Sequence, residues 1–368
     1  MLTSLIRKSK VHYYNGAFDE CRSDVKRTWI LIKKLLNRTC SGGSVKSLLM
    51  NNAEIFDDLG KANVFSDFFS NIASKLDEAL PNHAGSPIDY VTNHVGPSLF
   101  LRPITQSECS NIISELKNKS CPRDTLSVKL LKISKDPLVE PICFLINCSI
   151  EKETFPDILK LATVVPIYKS GDKRDPSNYR PISLLPLMSK IFERFIFKQL
   201  MSFFSEHSIL TPLQFGFRRG CSTADAVMNL TSFIYDSLDK KFHSVALFID
   251  FKKAFDTINV NILLEKLSCY GVRGTALNYI SSYCRDRQQC VRIGEAKSDL
   301  KIVNIGIGQG TLLGPLLFLV YINDICNVSD IFNTVLFADD TCFVASHTDY
   351  KFLVRQVNEK LEKFRVWT

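Results

Sequence analysis

Beyond Leu99 the apolar positions of this chain switch between a period of two and a period near four. The run Leu161 to Tyr168 is rich in β-forming residues. Met188 to Phe204 instead sets Phe192, Ile196 and Leu200 on one helical face, with Glu193, Arg194 and Lys198 elsewhere. Ser244 to Ile249 reads as a strand, and Val335 to Ala345 as a hairpin. Alternating elements of this kind predict an α/β (α+β) body. The residues before about 98 follow a different pattern, helical and polar. There Lys26-Arg27-Thr28-Trp29 runs into Ile30-Leu31-Ile32-Lys33-Lys34-Leu35-Leu36, and a loop is expected at Ser41-Gly42-Gly43-Ser44. A second amphipathic helix is expected from Leu59 to Leu80, with Val64, Phe65, Phe68 and Phe69 at helical spacing. Pro81 to Pro97, with its prolines, glycines and small polar residues, reads as a linker. The expected division is therefore a helical upstream region, 1–98, and a mixed domain, 99–368.

Composition narrows the class. Across 368 residues, 45% are apolar and 23% charged, a globular balance that allows a large core. The formal net charge of +8 suggests a polyanionic partner without establishing one. Twelve cysteines include no C-x-x-C pair, so free thiols in a reducing compartment are expected rather than a zinc site. Arg7, Lys8 and Lys10 interrupt the first residues where a secretory leader would need to be apolar. The run Pro315 to Ile322 is too short to span a bilayer. An intracellular protein that does not enter membranes is the expectation.

The chemistry centres on acids at strand ends. In Val335-Leu336-Phe337-Ala338-Asp339-Asp340-Thr341-Cys342-Phe343-Val344, two adjacent carboxylates sit between two β-forming runs. Asp-rich turns are common at solvated hairpin tips. Here, however, no glycine supplies a positive φ, and adjacent carboxylates repel by about 1 kcal/mol at surface-like dielectric. A divalent cation would remove that cost. Ser244 to Ile249 ends in a third acid, Asp250, where an isolated charge at the end of a buried strand would be costly. If that strand lies beside the hairpin, Asp250, Asp339 and Asp340 form a hard-oxygen site suited to Mg²⁺. Two such ions would activate an attacking hydroxyl and stabilise a leaving pyrophosphate. Asp256 precedes an apolar helix (Ile262, Leu263, Leu264, Leu267) and is expected to serve as an N-cap or in a loop hydrogen bond.

Two further stretches fit the same reaction. Gly306 to Pro315 is a glycine-rich loop opening an apolar helix, and Gln309 between glycines suggests contact with a nucleotide or template rather than a plain connector. Lys169 at the end of a β-rich run and Arg180 in Ser177-Asn178-Tyr179-Arg180-Pro181-Ile182-Ser183 could clamp a triphosphate, one as a point charge and one as a fork.

In order along the chain, Pro166-Ile167-Tyr168-Lys169, Tyr179-Arg180-Pro181-Ile182-Ser183, Gln214-Phe215-Gly216-Phe217-Arg218, Asp250 to Asp256, Gly308 to Pro315 and Phe337-Ala338-Asp339-Asp340 resemble the reverse transcriptase of non-LTR (LINE-type) retrotransposons, the jockey-like group in particular. The resemblance runs from about Leu99 to Thr368. It implies a right-hand polymerase fold, fingers then palm, with a helical N-terminal extension. It also implies Asp250, Asp339 and Asp340 as catalytic acids, with Asp250 and Asp339 the firmest ligands of two Mg²⁺ ions (Mn²⁺ as the alternative). By the same resemblance Phe255 is a steric gate against a ribose 2′-hydroxyl, and Lys169, Arg180 and Gln309 contact the nucleotide. Gln214, Gly216, Phe217 and Arg218 would touch the template. Implied partners are an RNA template, a DNA primer or target and dNTPs, with action in the nucleus after transit through the cytoplasm.

Departures accompany the resemblance. Gly308 stands where such proteins most often have proline, and Ser120-Cys121-Pro122-Arg123-Asp124 lacks the usual glycine before its aspartate. The sequence ends at Val366-Trp367-Thr368, before the further palm segment, primer grip and thumb that the resemblance implies, so a palm without its thumb is expected. Two rival readings follow: a catalytically silent relic that only binds nucleic acid, and an intron-encoded or bacterial reverse transcriptase.

Overall fold

The computed structural model describes residues 2–21, 24–35, 45–50, 53–77, 86–117 and 126–367. The expected loop at 41–44, the segment 120–124 and the end of the helix expected to reach residue 80 lie outside them. The chain divides into two compact units, Met1–Ser47 and Leu48–Thr368. The first holds α1 (Leu2–Glu20) and α2 (Val25–Leu35). Between them, the Thr28 hydroxyl bonds the carbonyls of Cys21 (3.1 Å) and Asp24 (3.0 Å).

The second unit opens with a short hairpin, β1 (Leu48–Met50) and β2 (Ala53–Ile55), then α3 (Asp58–Asp77). A helical group follows: α4 (Gln106–Glu115), α5 (Val128–Ile133), α6 (Lys135–Glu151) and the single turn α7 (Asp157–Lys160). Next come β3 (Ala162–Tyr168), β4 (Tyr179–Leu184), α8 (Leu187–Glu206), α9 (Thr223–Asp239) and β5 (His243–Ile249). Helices α10 (Val260–Cys269) and α11 (Gly274–Cys284) precede β6 (Arg287–Ile293), β7 (Ala296–Lys297) and β8 (Lys301–Val303). The chain continues through α12 (Leu313–Ile322), β9 (Asn333–Phe337), β10 (Asp340–His347) and α13 (Tyr350–Trp367).

Two sheets organise this unit. In one, the order is β4-β3-β6-β7, with β8 also on β6; β3 runs antiparallel to β4 and parallel to β6. In the other, β10 lies between β5 and β9, antiparallel to both. One face of this smaller sheet sends Leu336 and Phe343 into the main core, while Val335, Cys342 and Val344 on the other face meet α9. The core is built on α8, α10, α11 and α12. From Leu313 to Val320 α12 carries no polar side chain, so it packs as a helix buried on every side. Local signals agree with this framework. Capping boxes start α4 (Thr105 with Glu108) and α9 (Ser222 with Asp225), each bond set worth about 1 kcal/mol.

Three expectations need correction. Residues 86–97 do not behave as a linker: Val91 and Val95 enter the main core, Val95 N–H donates to Cys269 O (3.0 Å), and Leu99 N–H to Gly271 O (2.9 Å). Helix α3 belongs to the same unit, its buried Phe65 lying edge-on to Tyr179 at 4.9 Å, so the compact unit begins at residue 48 and not near 98. Glu193, expected off the buried face of α8, is 0% exposed, because α8 is covered by α4, α7 and α12 together. Among the described residues every cysteine carries a free thiol, and no helix is long and apolar enough to cross a membrane.

Candidate active site

The β9–β10 hairpin turns in two residues. Asp340 pairs with Phe337, leaving Ala338 and Asp339 at the tip, and β10 then pairs with β5 from Thr341 opposite Ile249 to His347 opposite His243. One further step of that register sets Asp250 across from Asp340, with Asp339 in the adjoining turn. The turn needs a positive φ at its first residue, and Ala338 supplies it at 56° without being glycine. Such a conformation costs on the order of 1–3 kcal/mol and persists only where its surroundings hold it.

The surroundings here are the segment Leu213–Gly216. Its backbone docks on β9, Leu336 N–H donating to Leu213 O (3.0 Å) and Phe215 N–H to Leu336 O (2.8 Å). The Gln214 carbonyl oxygen accepts the N–H groups of Ala338 and Gly216, both at 2.8 Å, while its amide donates to Ala338 O at 3.3 Å. A Cβ on Gly216 would collide with the Ala338 nitrogen. Gln214 and Gly216 are therefore buried beneath the turn, not spread on a template surface as expected. Arg218 also turns inward, donating to Thr211 O at 2.7 Å. Of the four residues expected to meet the template, only Phe217 is well exposed, at a φ of 56°.

The carboxylates of Asp250 and Asp340 are exposed and that of Asp339 half-buried; among the described residues none is engaged in a hydrogen bond or ion pair. No three His, Cys, Asp or Glu side chains of the described residues converge closely enough to hold an ion by themselves. The donor chemistry still fits Mg²⁺, which commonly takes one or two carboxylates and completes its shell with water and substrate phosphates.

A basic cluster lies on the β3–β4 hairpin. Tyr168 pairs with Tyr179 and Ile167 with Arg180, and Lys169 N–H donates to Asn178 O (2.8 Å), so exposed Lys169 and Arg180 share one end of the ribbon. Lys253 joins them. Burial pushes its ammonium below the ordinary value, and the charges of Lys169, Arg180 and Lys252 act in the same direction against the attraction of Asp256. Nothing in the sequence pattern singled out Lys253; its signal is a second lysine within Asp250 to Asp256, on a residue whose φ is 57°.

Phe255 stands between two rings. It stacks on Phe318 of α12 at 4.7 Å with planes 21° apart, and meets Phe217 edge-on at 6.1 Å. The glycine-rich loop continues from there: Ile307 N–H donates to Phe255 O (2.8 Å), and Gly306, at a φ of 76°, lies so close to Asp256 O that a Cβ would not fit. The Gln309 side-chain amide donates to Asp256 Oδ1 at 3.1 Å, and its main-chain carbonyl accepts from Ser183 N–H at 2.8 Å. Asp256 thus takes the expected loop bond, while Asn259 is the N-cap of α10. Burial raises the Asp256 carboxyl to about 6, against the pull of Lys253, Gln309 and Arg287. A cleft of about 550 Å³ opens here, lined by Ser183, Asp256, Arg287 and Gln309 among others; none of the three acids lines it.

Comparison with known proteins identifies the family. Residues 168–368 match the family described as reverse transcriptase (RNA-dependent DNA polymerase). The chain is 30% identical over 343 residues to the probable RNA-directed DNA polymerase from transposon BS of Drosophila melanogaster, covering 89% of this chain and 36% of that protein. Against that from transposon X-element of the same organism, identity is 30% over 291 residues, covering 77% and 32%. Against the RNA-directed DNA polymerase from mobile element jockey it is 27% over 318 residues, covering 84% and 35%. The chain spans about a third of the length of these relatives.

Proposed function

From the premise that this chain belongs to the reverse transcriptase family, matched over more than half its length, we propose that it is the polymerase part of a non-LTR retrotransposon protein and transfers dNTPs to a DNA primer on an RNA template. The observation that carries this reading is the register that sets Asp250 opposite Asp340, beside a turn presenting Asp339. Asp250 and Asp339 would hold two Mg²⁺ ions, with Asp340 supporting. Those ions, when bound, favour ionisation of the primer 3′-hydroxyl and neutralise charge on the leaving pyrophosphate.

The chain's own residues do the rest. Lys169, Arg180 and Lys253 form a cationic flank for the triphosphate, Arg180 with a planar fork and the lysines as point charges. Phe255, backed by Phe318, cannot retreat into the core, so its ring excludes a ribose 2′-hydroxyl. Gln309, fixed by Asp256 and Ser183, offers a contact to the nucleotide or template. Phe217 remains as a stacking platform for the template. Copying into chromosomal DNA from a nicked end would place the reaction in the nucleus.

The test is extension of a DNA primer on an RNA template by the full protein in Mg²⁺. Incorporation that stops on chelation and returns with Mg²⁺ or Mn²⁺ supports this reading; incorporation indifferent to chelation overturns it.

A further inference from the structure

Glu193 is a buried carboxylate whose two oxygens are held by neutral donors. It lies on α8 at 0% exposure, with the charge of Lys190 one turn away. Both oxygens are engaged: Oε1 accepts from the Tyr283 hydroxyl at 2.8 Å, and Oε2 accepts from Leu312 N–H at 2.7 Å. Leu312 is the N-cap residue of α12 and has no side chain able to cap the helix. The first N–H groups of a helix lack partners within it, and here a carboxylate from another helix serves one of them.

Burying a carboxylate is expensive, and an apolar residue of similar size would serve the core better. What the carboxylate gives in return is position. Leu312 closes the glycine-rich loop, whose start is held where Ile307 N–H donates to Phe255 O at 2.8 Å and whose middle is held where Ser183 N–H donates to the Gln309 main-chain O at 2.8 Å. Inside the loop, Thr311 Oγ1 donates to Gly308 O at 2.9 Å and accepts from Gly314 N–H at 3.0 Å. The helix that starts at Leu313 carries Phe318, the ring stacked on Phe255. One buried group therefore sets both the loop bearing Gln309 and the backing of Phe255.

We infer that Glu193 is a positioning residue for nucleotide selection: it caps α12 from outside and so fixes Gln309 and the Phe318–Phe255 stack. This rests on the polymerase reading above. The role is separable from bulk stability because the acceptor, not the charge or the volume, is what Leu312 needs. Glu193→Gln keeps an acceptor, whereas Glu193→Leu removes it and keeps the apolar volume.

The experiment has two arms on the full chain. Hydrogen exchange in the unsubstituted protein should find the Leu312 amide protected, although amides at helix starts ordinarily exchange freely. In Glu193→Leu, exchange across 308–314 should rise about tenfold, the effect of losing one cap, while Glu193→Gln stays within about twofold. In primer extension, Glu193→Leu should raise KM for dNTPs several-fold more than it lowers kcat, with Glu193→Gln restoring both. An unprotected Leu312 amide overturns the cap, even if Glu193→Leu does not fold. Loosened exchange with unchanged KM overturns the positioning role. No primer extension by the unsubstituted full protein in Mg²⁺ would count against the polymerase reading alone, since the exchange arm needs no activity.

Discussion

Gln214 holds the Ala338 peptide from both sides, accepting its N–H at 2.8 Å and donating to its carbonyl at 3.3 Å. The residue next to Asp339 is thereby kept at a φ of 56°, which a non-glycine residue adopts at a cost. Gln214→Ala would orphan a buried N–H, a loss of about 1–3 kcal/mol, and free the turn to relax. Displacements near 1 Å in a reacting site cost on the order of 100-fold in rate. Single-turnover extension by Gln214→Ala should fall by about that factor with little change in KM for dNTPs. A rate within twofold of wild type would refute the staple.

Phe255 is wedged between Phe318 and Phe217. Phe255→Val should open the space beside the sugar and relax discrimination against ribonucleotides by about 10–100-fold, the scale of one filled or emptied apolar subsite. Competing dNTP and rNTP incorporation measures it directly. Unchanged discrimination would return Phe255 to an ordinary core role.

Burial raises the Glu193 carboxyl to about 7 from 4.5, against the bonds from Leu312 and Tyr283 and the charge of Lys190. Because the folded value lies above the unfolded one, this group's contribution to stability is complete below about pH 4.5 and is lost as pH rises to about 7. Relative to Glu193→Gln, wild type should lose on the order of 3 kcal/mol between those limits and run parallel to it above them. Denaturant midpoints measured from pH 4 to 8 decide this. Parallel curves across the whole range would mean that Glu193 is not held in a raised state.

Lys266 and Asp324 form an ion pair at 2.6 Å, both buried, with Lys266 also donating to Tyr321 O at 2.8 Å. Breaking a buried pair leaves one charge uncompensated and costs about 3–5 kcal/mol. Lys266→Met should destabilise by that amount, and adding Asp324→Leu should recover most of it. Equal stability of the single and double variants would show that the pair is not coupled.

Much of this arrangement can be read from local pattern. The run at 161–168, the long α8, β5 and the β9–β10 hairpin all follow from periodicity within one element, and Asp250 and Asp339 stand out because an acid closing a strand, or two adjacent acids in a turn, carries a charge cost that a cation would remove. The residues whose places differ from the local pattern depend on partners far along the chain. Gln214 looks like part of a polar surface loop until Ala338, 124 residues away, is placed against it. Glu193 sits one position from Phe192 on a helix whose pattern marks a single apolar face. Only the packing of α4, α7 and α12 around α8 buries it. Residues 86–97 carry the composition of a linker, yet two valines in that stretch reach the core. Composition reports what a segment can do, and neighbours decide what it does.

The most direct test of the catalytic assignment is primer extension on an RNA template by Asp339→Ala, set beside the unsubstituted full protein in Mg²⁺. If Asp339 holds the ions, extension should fall by at least about 1,000-fold, because electrostatic stabilisation of the transferring group supplies most of the rate. Extension at the wild-type rate would contradict the assignment and leave the acids at the hairpin without a catalytic role.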